Sequence, residues 1–377
     1  MLPMRVRCPV LALSLIAAGC LGSSAEPAPS TAANAASEPT PEPTPEPTPD
    51  PADDLLVDLH VDTITAMVEN HWSWEDERLE ASLPELVEAG VDVVVEAIWI
   101  PRAAKDPRGL ALDRVARIRA MVRGSRGRAA LVTGPGQLRA AVREGRLAVV
   151  VALEGGTALT EGPKTMHELA DLGVAMFGLT WTESSAFADS SAEPRAGDAG
   201  GLTEAGRAVV AAANDRGLML DVSHMSDRAT ADTVAASRAP VLASHSNAFA
   251  LAGTARNLRP ELLAAIAEKG GLVGVMFHGP FVVKGEPATR AHVVAQATHL
   301  VQEIGAEHVG LGSDWDGKIQ SPPDLAGAPD LPALVADLEA GLDPSAVRAV
   351  SGGSFLRFWD AVRAASASAG SRSTSRN

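Results

Sequence analysis

The sequence predicts an α/β protein, a parallel (β/α)8 barrel of the TIM type. Eight short runs rich in Val, Ile, Leu, Ala and Gly recur between residues 54 and 363. Most are near-continuous rather than alternating, which suits strands buried on both faces. Stretches of helical period, with readable starts and stops, lie between them. Eight such units in one body fit a single barrel.

The strand candidates are Leu55–Thr63, Val91–Ile100, Leu147–Glu154, Val174–Thr180, Leu218–His224, Val241–His245, Leu272–His278 and His308–Asp314. Among the helices, Ser82-Leu83-Pro84-Glu85 reads as a capping box, and Gly90 stops that helix. The connection from Ile100 to Leu147 is long enough for two helices. Thr203 opens a helix that runs to Arg216-Gly217, and Pro260 sits early in one that ends at Gly270-Gly271. Ser345–Arg363 is helical in pattern, interrupted at Gly352-Gly353. Residues 364–377, rich in Ser, Ala and Arg, read as a disordered tail.

The first 53 residues are of another kind. Arg5 and Arg7 precede the apolar run Pro9–Ala18, so residues 1–19 read as a secretory signal, too short to be a membrane-spanning helix. Ile16-Ala17-Ala18-Gly19-Cys20 resembles a bacterial lipobox, which implies a lipid on Cys20. Residues 20–53, with their Pro-Thr-Glu repeat, cannot bury apolar surface and read as a semi-rigid tether. An exported protein anchored to the lipid bilayer of a bacterial envelope is the expectation. Leu21, rather than an aspartate, after Cys20 favours the outer membrane.

Composition narrows the chemistry. The formal net charge is −15 and the body holds no basic block, which argues against a nucleic-acid partner. The only cysteines are Cys8 and Cys20, both in the leader. A metal in the body must therefore be held by His, Asp and Glu.

In such a barrel the C-terminal strand ends converge on one face, where chemistry is placed. The first strand ends in His60-Val61-Asp62, and side chains two apart on a strand point the same way. Later strands end in Glu154, in Asp221 and His224, in His245, in His278, and in Asp314 and Asp316. We assign His60, Asp62 and Glu154 to one divalent ion, and Glu154, His224 and His245 to a second. Imidazole and carboxylate donors suit zinc. Two such ions can share and acidify one water. Asp314 would orient that water or carry its proton to a leaving amine. Asp316 reads as a loop cap, and His278 as either a substrate contact or a core residue. His71, His167, His292, His299 and His308 read as structural or solvated.

Five stretches then resemble the membrane dipeptidase family (renal dipeptidase, peptidase M19). They are Asp58-Leu59-His60-Val61-Asp62-Thr63, Val151-Ala152-Leu153-Glu154-Gly155-Gly156, Leu220-Asp221-Val222-Ser223-His224-Met225-Ser226, Ala243-Ser244-His245-Ser246 and Gly310-Leu311-Gly312-Ser313-Asp314-Trp315-Asp316-Gly317. Ala255-Arg256-Asn257-Leu258 and the terminal Gly352-Gly353-Ser354-Phe355-Leu356-Arg357 match as well, so the likeness covers the whole body in order. It implies a metallo-dependent hydrolase barrel with two zinc ions that cleaves dipeptides, often with a D-residue at the C-terminal position. Peptidoglycan-derived dipeptides are then plausible substrates. It implies the ligand set given above, Asp314 as the acid/base, and a homodimer. Arg256 falls where the family clamps the substrate carboxylate, a task suited to a guanidinium fork. Trp181 stands where mammalian members carry a substrate-contacting histidine, and its indole can only donate a hydrogen bond.

Two other readings stay open from the sequence. One is a binuclear amidohydrolase acting on non-peptide amides or lactams. The other is a non-catalytic envelope lipoprotein that keeps the barrel as a binding module, although buried ligand charges are costly without a metal.

Overall fold

The computed structural model describes residues 54–194 and 200–374. The predicted signal, the lipidated Cys20 and the tether lie outside the described residues. Among the described residues, nine parallel strands form one sheet: β1 Val57–Val61, β2 Val93–Trp99, β3 Ala129–Leu131, β4 Leu147–Glu154, β5 Val174–Gly178, β6 Met219–Asp221, β7 Leu242–Ser246, β8 Leu272–Val275 and β9 Val309–Leu311. Eight follow one another around the barrel in the order β1-β2-β4-β5-β6-β7-β8-β9, and β3 pairs with β4 off that path. All eight expected strands are present. The addition is β3, which lies between helices Pro107–Gly124 and Pro135–Arg143.

The barrel draws together just beyond the paired strands, between β1 and the residues after β9. Asp314 N donates to His60 O at 3.0 Å, and Asp62 N donates to Trp315 O at 2.8 Å. Below them the buried Asp58 carboxylate accepts from Ser313 N at 2.9 Å and His60 N at 3.1 Å. Burial raises the Asp58 pKa to about 6, against the pull of those hydrogen bonds. The seam therefore carries His60, Asp62 and Asp314 on one rim.

Side-chain polarity at the element ends explains their limits. Thr203 caps Glu204–Arg216 by accepting from Gly206 N, and Gly217, at φ 62°, ends it. Ser82 accepts from Glu85 N at the start of Leu83–Glu88. Two cores follow from the strand pattern. One joins the outer strand faces to the surrounding helices through residues such as Val94, Ile98, Val115 and Ile118. The other gathers Val57, Val93, Ala148, Met219, Leu242 and Leu272, which open their strands or nearly so. Phe355, Phe358 and Trp359 of the C-terminal helix pack onto that second set. The helix runs from Ser354 to Thr374, through residues read from the sequence as a tail. Ala364, Ala365, Ala367 and Ala369 favour helix intrinsically. Inside the barrel the fit is close: a Cβ on Gly274 or Gly312 would stand within 2.0 Å of Ser244 O. No helix of the described residues is long and apolar enough to cross a membrane.

Candidate metal centre

Each expected ligand sits at or just past the C-terminal end of a strand. His60 lies in β1, and Asp62 is the residue before the helix Thr63–Asn70. An aspartate there ordinarily caps the helix with its side chain. Asp62 does not; Glu96 of β2 accepts from Ile64 N instead, which leaves the Asp62 carboxylate free. Glu154 ends β4. His224 follows β6 and Asp314 follows β9, both in the left-handed region at φ 65° and 69°. The sequence pattern extends both strands through these residues. The structure ends them earlier, because the left-handed turns re-aim the two side chains at a conformational cost usual at functional sites.

The side chains meet around one oxygen. His60 Nε2 stands 3.7 Å from Asp62 Oδ2, 3.7 Å from Glu154 Oε1 and 3.8 Å from Asp314 Oδ1. His224 Nε2 lies 3.0 Å and His245 Nε2 3.6 Å from the same Glu154 Oε1, and those two nitrogens are 3.0 Å apart. Donors on a tetrahedral zinc, at bond lengths of about 2.0–2.2 Å, are separated by roughly 3.3–3.6 Å. The spacing therefore suits metal binding with little adjustment. Among the described residues, the sets His60–Asp62–Glu154 and Glu154–His224–His245 each bring their donors within 4.8 Å of one another and share Glu154. These are the two sets read from the sequence. His60 Nε2 is also a buried nitrogen without a hydrogen-bond partner, which a metal ion would satisfy.

The electrostatics point the same way. Burial drives the Glu154 pKa well above the usual carboxylate range, with Asp62, Asp314 and Asp221 adding repulsion against the pull of His60. Burial likewise raises Asp314 to about 8. His224 and His245 are driven well below the usual imidazole value by burial, then by Arg256 and His60. Burial would lower His60 too, but Glu154 and Asp62 override it and lift His60 to about 10. Crowded carboxylates that resist ionising, beside two imidazoles, His224 and His245, that resist protonation, form a donor set that divalent cations would stabilise.

The remaining expected residues divide. Arg256 is buried beside the cluster but already engaged: Nη1 donates to Ser246 Oγ and Nη2 to His245 O, each at 2.7 Å, while Nε has no partner. Trp181 lies beside the centre, its ring 6.4 Å from that of His224. Asp316 stays out of the cluster and ties loops together, accepting from Thr63 Oγ1 at 2.7 Å and Glu80 N at 2.9 Å. His278 accepts from Gln320 N through Nδ1. Sequence reasoning missed Trp99, which is in register with Glu154 across β2 and β4 and packs with its ring centre 4.7 Å from that of Trp181, tilted by 52°. It also missed Glu96, the charge inside an otherwise apolar strand.

Gly317 completes the rim. A Cβ there would stand 2.8 Å from Asp62 Oδ2, 2.9 Å from Asp314 O and 3.0 Å from Asp314 Oδ1. Gly317→Ala must push both carboxylates. Zinc titration of the metal-stripped variant should show affinity weakened by about tenfold, comparable to losing an orienting neighbour of a ligand. Unchanged affinity would mean the loop yields without moving either group.

Comparison with known proteins follows this geometry. A sequence model of membrane dipeptidase (peptidase family M19) matches residues 52–373. The dipeptidase aclJ of Aspergillus oryzae is 34% identical over 218 residues, 56% of this chain and 51% of its own length. The chain thus matches about half the length of that curated relative. A metallo peptidase from Rhodobacter sphaeroides, liganded with a phosphinate mimic of the dipeptide L-Ala-D-Ala, superposes with a TM-score of 0.75 at 27% identity, covering 82% of this chain and 99% of that one. The dipeptidase AC, a metallo peptidase of family M19, gives 0.76 at 28% identity, over 82% and 98% of the two chains.

Proposed function

The chain belongs to the membrane dipeptidase family, peptidase family M19, and from that premise we propose that it hydrolyses dipeptides at a two-ion centre. The observation that carries the proposal is the sharing of Glu154 between two donor sets at the barrel mouth. Divalent ions held there, zinc by donor type, would acidify a water and polarise the scissile carbonyl.

The residues around that centre have separable tasks. Asp314, on the rim beside His60, takes up the proton of the attacking water and passes it to the departing amine. Arg256 receives the substrate carboxylate through its free Nε–H, while its other bonds fix the guanidinium. Trp99 and Trp181 supply an apolar wall next to His224. The L-Ala-D-Ala mimic in the Rhodobacter sphaeroides relative supports acceptance of a C-terminal D-residue.

The direct test is cleavage of an L-L and L-D dipeptide panel by the purified protein, with chelator, and with zinc restored. Cleavage that chelator abolishes and zinc restores is expected. No cleavage with two ions bound would move the function to another amide or lactam. Trp181→Ala should lower kcat/KM about fivefold for dipeptides with large apolar side chains, from an aromatic contact worth about 1 kcal/mol. Glycyl dipeptides should change least, and an equal loss across the panel would remove the wall from the account.

A further inference from the structure

We propose that one hydroxyl, Ser244 Oγ, held by Asp221, sets the tautomers of His60 and His245 and so couples the two metal sites. The proposal rests on the two-ion reading, because His60 belongs to one donor set and His245 to the other. Ser244 is a positioning residue here; it touches neither ion nor substrate.

Asp221 Oδ1 accepts from Ser223 N at 2.9 Å and Ser244 N at 3.0 Å, which fixes the carboxylate on the backbone. Its other oxygen, Oδ2, lies 2.6 Å from Ser244 Oγ. A carboxylate only accepts, so the single hydroxyl proton goes to Asp221. Ser244 Oγ is then left with two lone pairs. Two imidazole nitrogens face them: His245 Nδ1 at 2.8 Å and His60 Nδ1 at 3.3 Å. Both must donate. Each ring thereby carries its proton on Nδ1 and turns Nε2 toward Glu154. Ser223 Oγ, at 3.4 Å, is the most distant neighbour of the hydroxyl and itself accepts from His245 N.

This also explains a third set of metal-type donors, His60–Asp221–His245, found among the described residues. The Ser244 hydroxyl is within hydrogen-bonding reach of all three of its members. The set is therefore a hydrogen-bond cage that orients ligands rather than a further ion site. Outer partners of metal-bound histidines commonly fix the ring and the tautomer one at a time. Here one oxygen serves two rings, one from each donor set.

Asp221→Asn tests the direction of the protons without removing an atom. Two backbone N–H groups require the amide oxygen at the Oδ1 position, so the amide nitrogen must face Ser244 Oγ. It would donate to the hydroxyl, whose own proton would turn to His245 Nδ1. His245 would then carry its proton on Nε2, where no metal can bind. Nitrogen-15 NMR of the metal-stripped protein at neutral pH should find His245 in the Nδ1–H form in the wild type and in the Nε2–H form in Asp221→Asn. Zinc titration should show binding weakened about 10–100-fold at both sites in Ser244→Ala, which loses the acceptor of both rings, and at the His245 site in Asp221→Asn, where the second lone pair of Ser244 Oγ still receives His60 Nδ1–H. Should Ser244→Ala fail to fold, the wild-type tautomer and the isosteric Asp221→Asn still decide. An Nε2–H wild-type His245, or weakening confined to one ion in Ser244→Ala, would overturn the proposal. Neither readout uses turnover, so absent dipeptide cleavage with two ions bound would remove the function and leave this coupling standing.

Discussion

Asp314→Asn should lower kcat by about 10²- to 10⁴-fold while leaving the metal content unchanged. That range is what a positioned acid/base contributes. The substitution keeps the size of the side chain and removes only its ability to take and return a proton. Asp314 stands 3.8 Å from His60 Nε2 but belongs to neither set that shares Glu154. Its backbone is fixed by the bond from its own N–H to His60 O and by a left-handed φ, so the amide should sit where the carboxyl sits. Metal analysis alongside steady-state kinetics decides the matter. A fall in bound metal that matches the fall in rate would make Asp314 a ligand rather than the proton carrier.

Glu154→Gln should remove both ions at once. Glu154 Oε1 is the atom on which His60, His224 and His245 converge. Losing an outer partner of a ligand weakens binding by about 10–100-fold, so losing the shared donor should exceed about 100-fold at each site. Turnover should disappear with the metal. The folded protein should nevertheless survive. Burial raises the Glu154 pKa well above its usual value, so the metal-free interior disfavours its charged form and a neutral amide of the same shape replaces it at little cost. The Tm of the metal-free variant should therefore match that of the metal-free wild type, while the rise in Tm on adding zinc should vanish. Retention of one tightly bound ion would show that the sites do not share this carboxylate.

Much of this was legible in the sequence because a barrel writes its strands as apolar runs and its chemistry at their ends. All eight ring strands could be found that way, as could the residues that meet around Glu154. The strand limits could not. The apolar character of Leu218–His224 continues past the last ladder residue, Asp221, and only the left-handed φ at His224 reveals the turn. β3 was hidden because three residues between two helices, paired with a single neighbour, leave no periodic signal. Trp99 sits in a run that reads as core, and its place beside Glu154 depends on register, which a single sequence does not state. Glu96 left a trace, a lone carboxylate inside Val93–Trp99, and its role as a cap for a helix on another part of the chain needed the fold. Arg256 was found, but not that two of its donors are already spent on Ser246 and His245.

The aromatic residues Phe355, Phe358 and Trp359 cover the end of the barrel where the strands begin. Among the described residues, that end of the barrel is packed with side chains. With dipeptide hydrolysis as proposed, substrate would arrive, and both amino-acid products would depart, by the same rim that holds Asp62, Asp314 and the tryptophan pair. Traffic in the two directions then competes for one doorway. A dipeptide cannot settle until the previous pair of fragments has cleared, so accumulated amino acids should slow the enzyme from within.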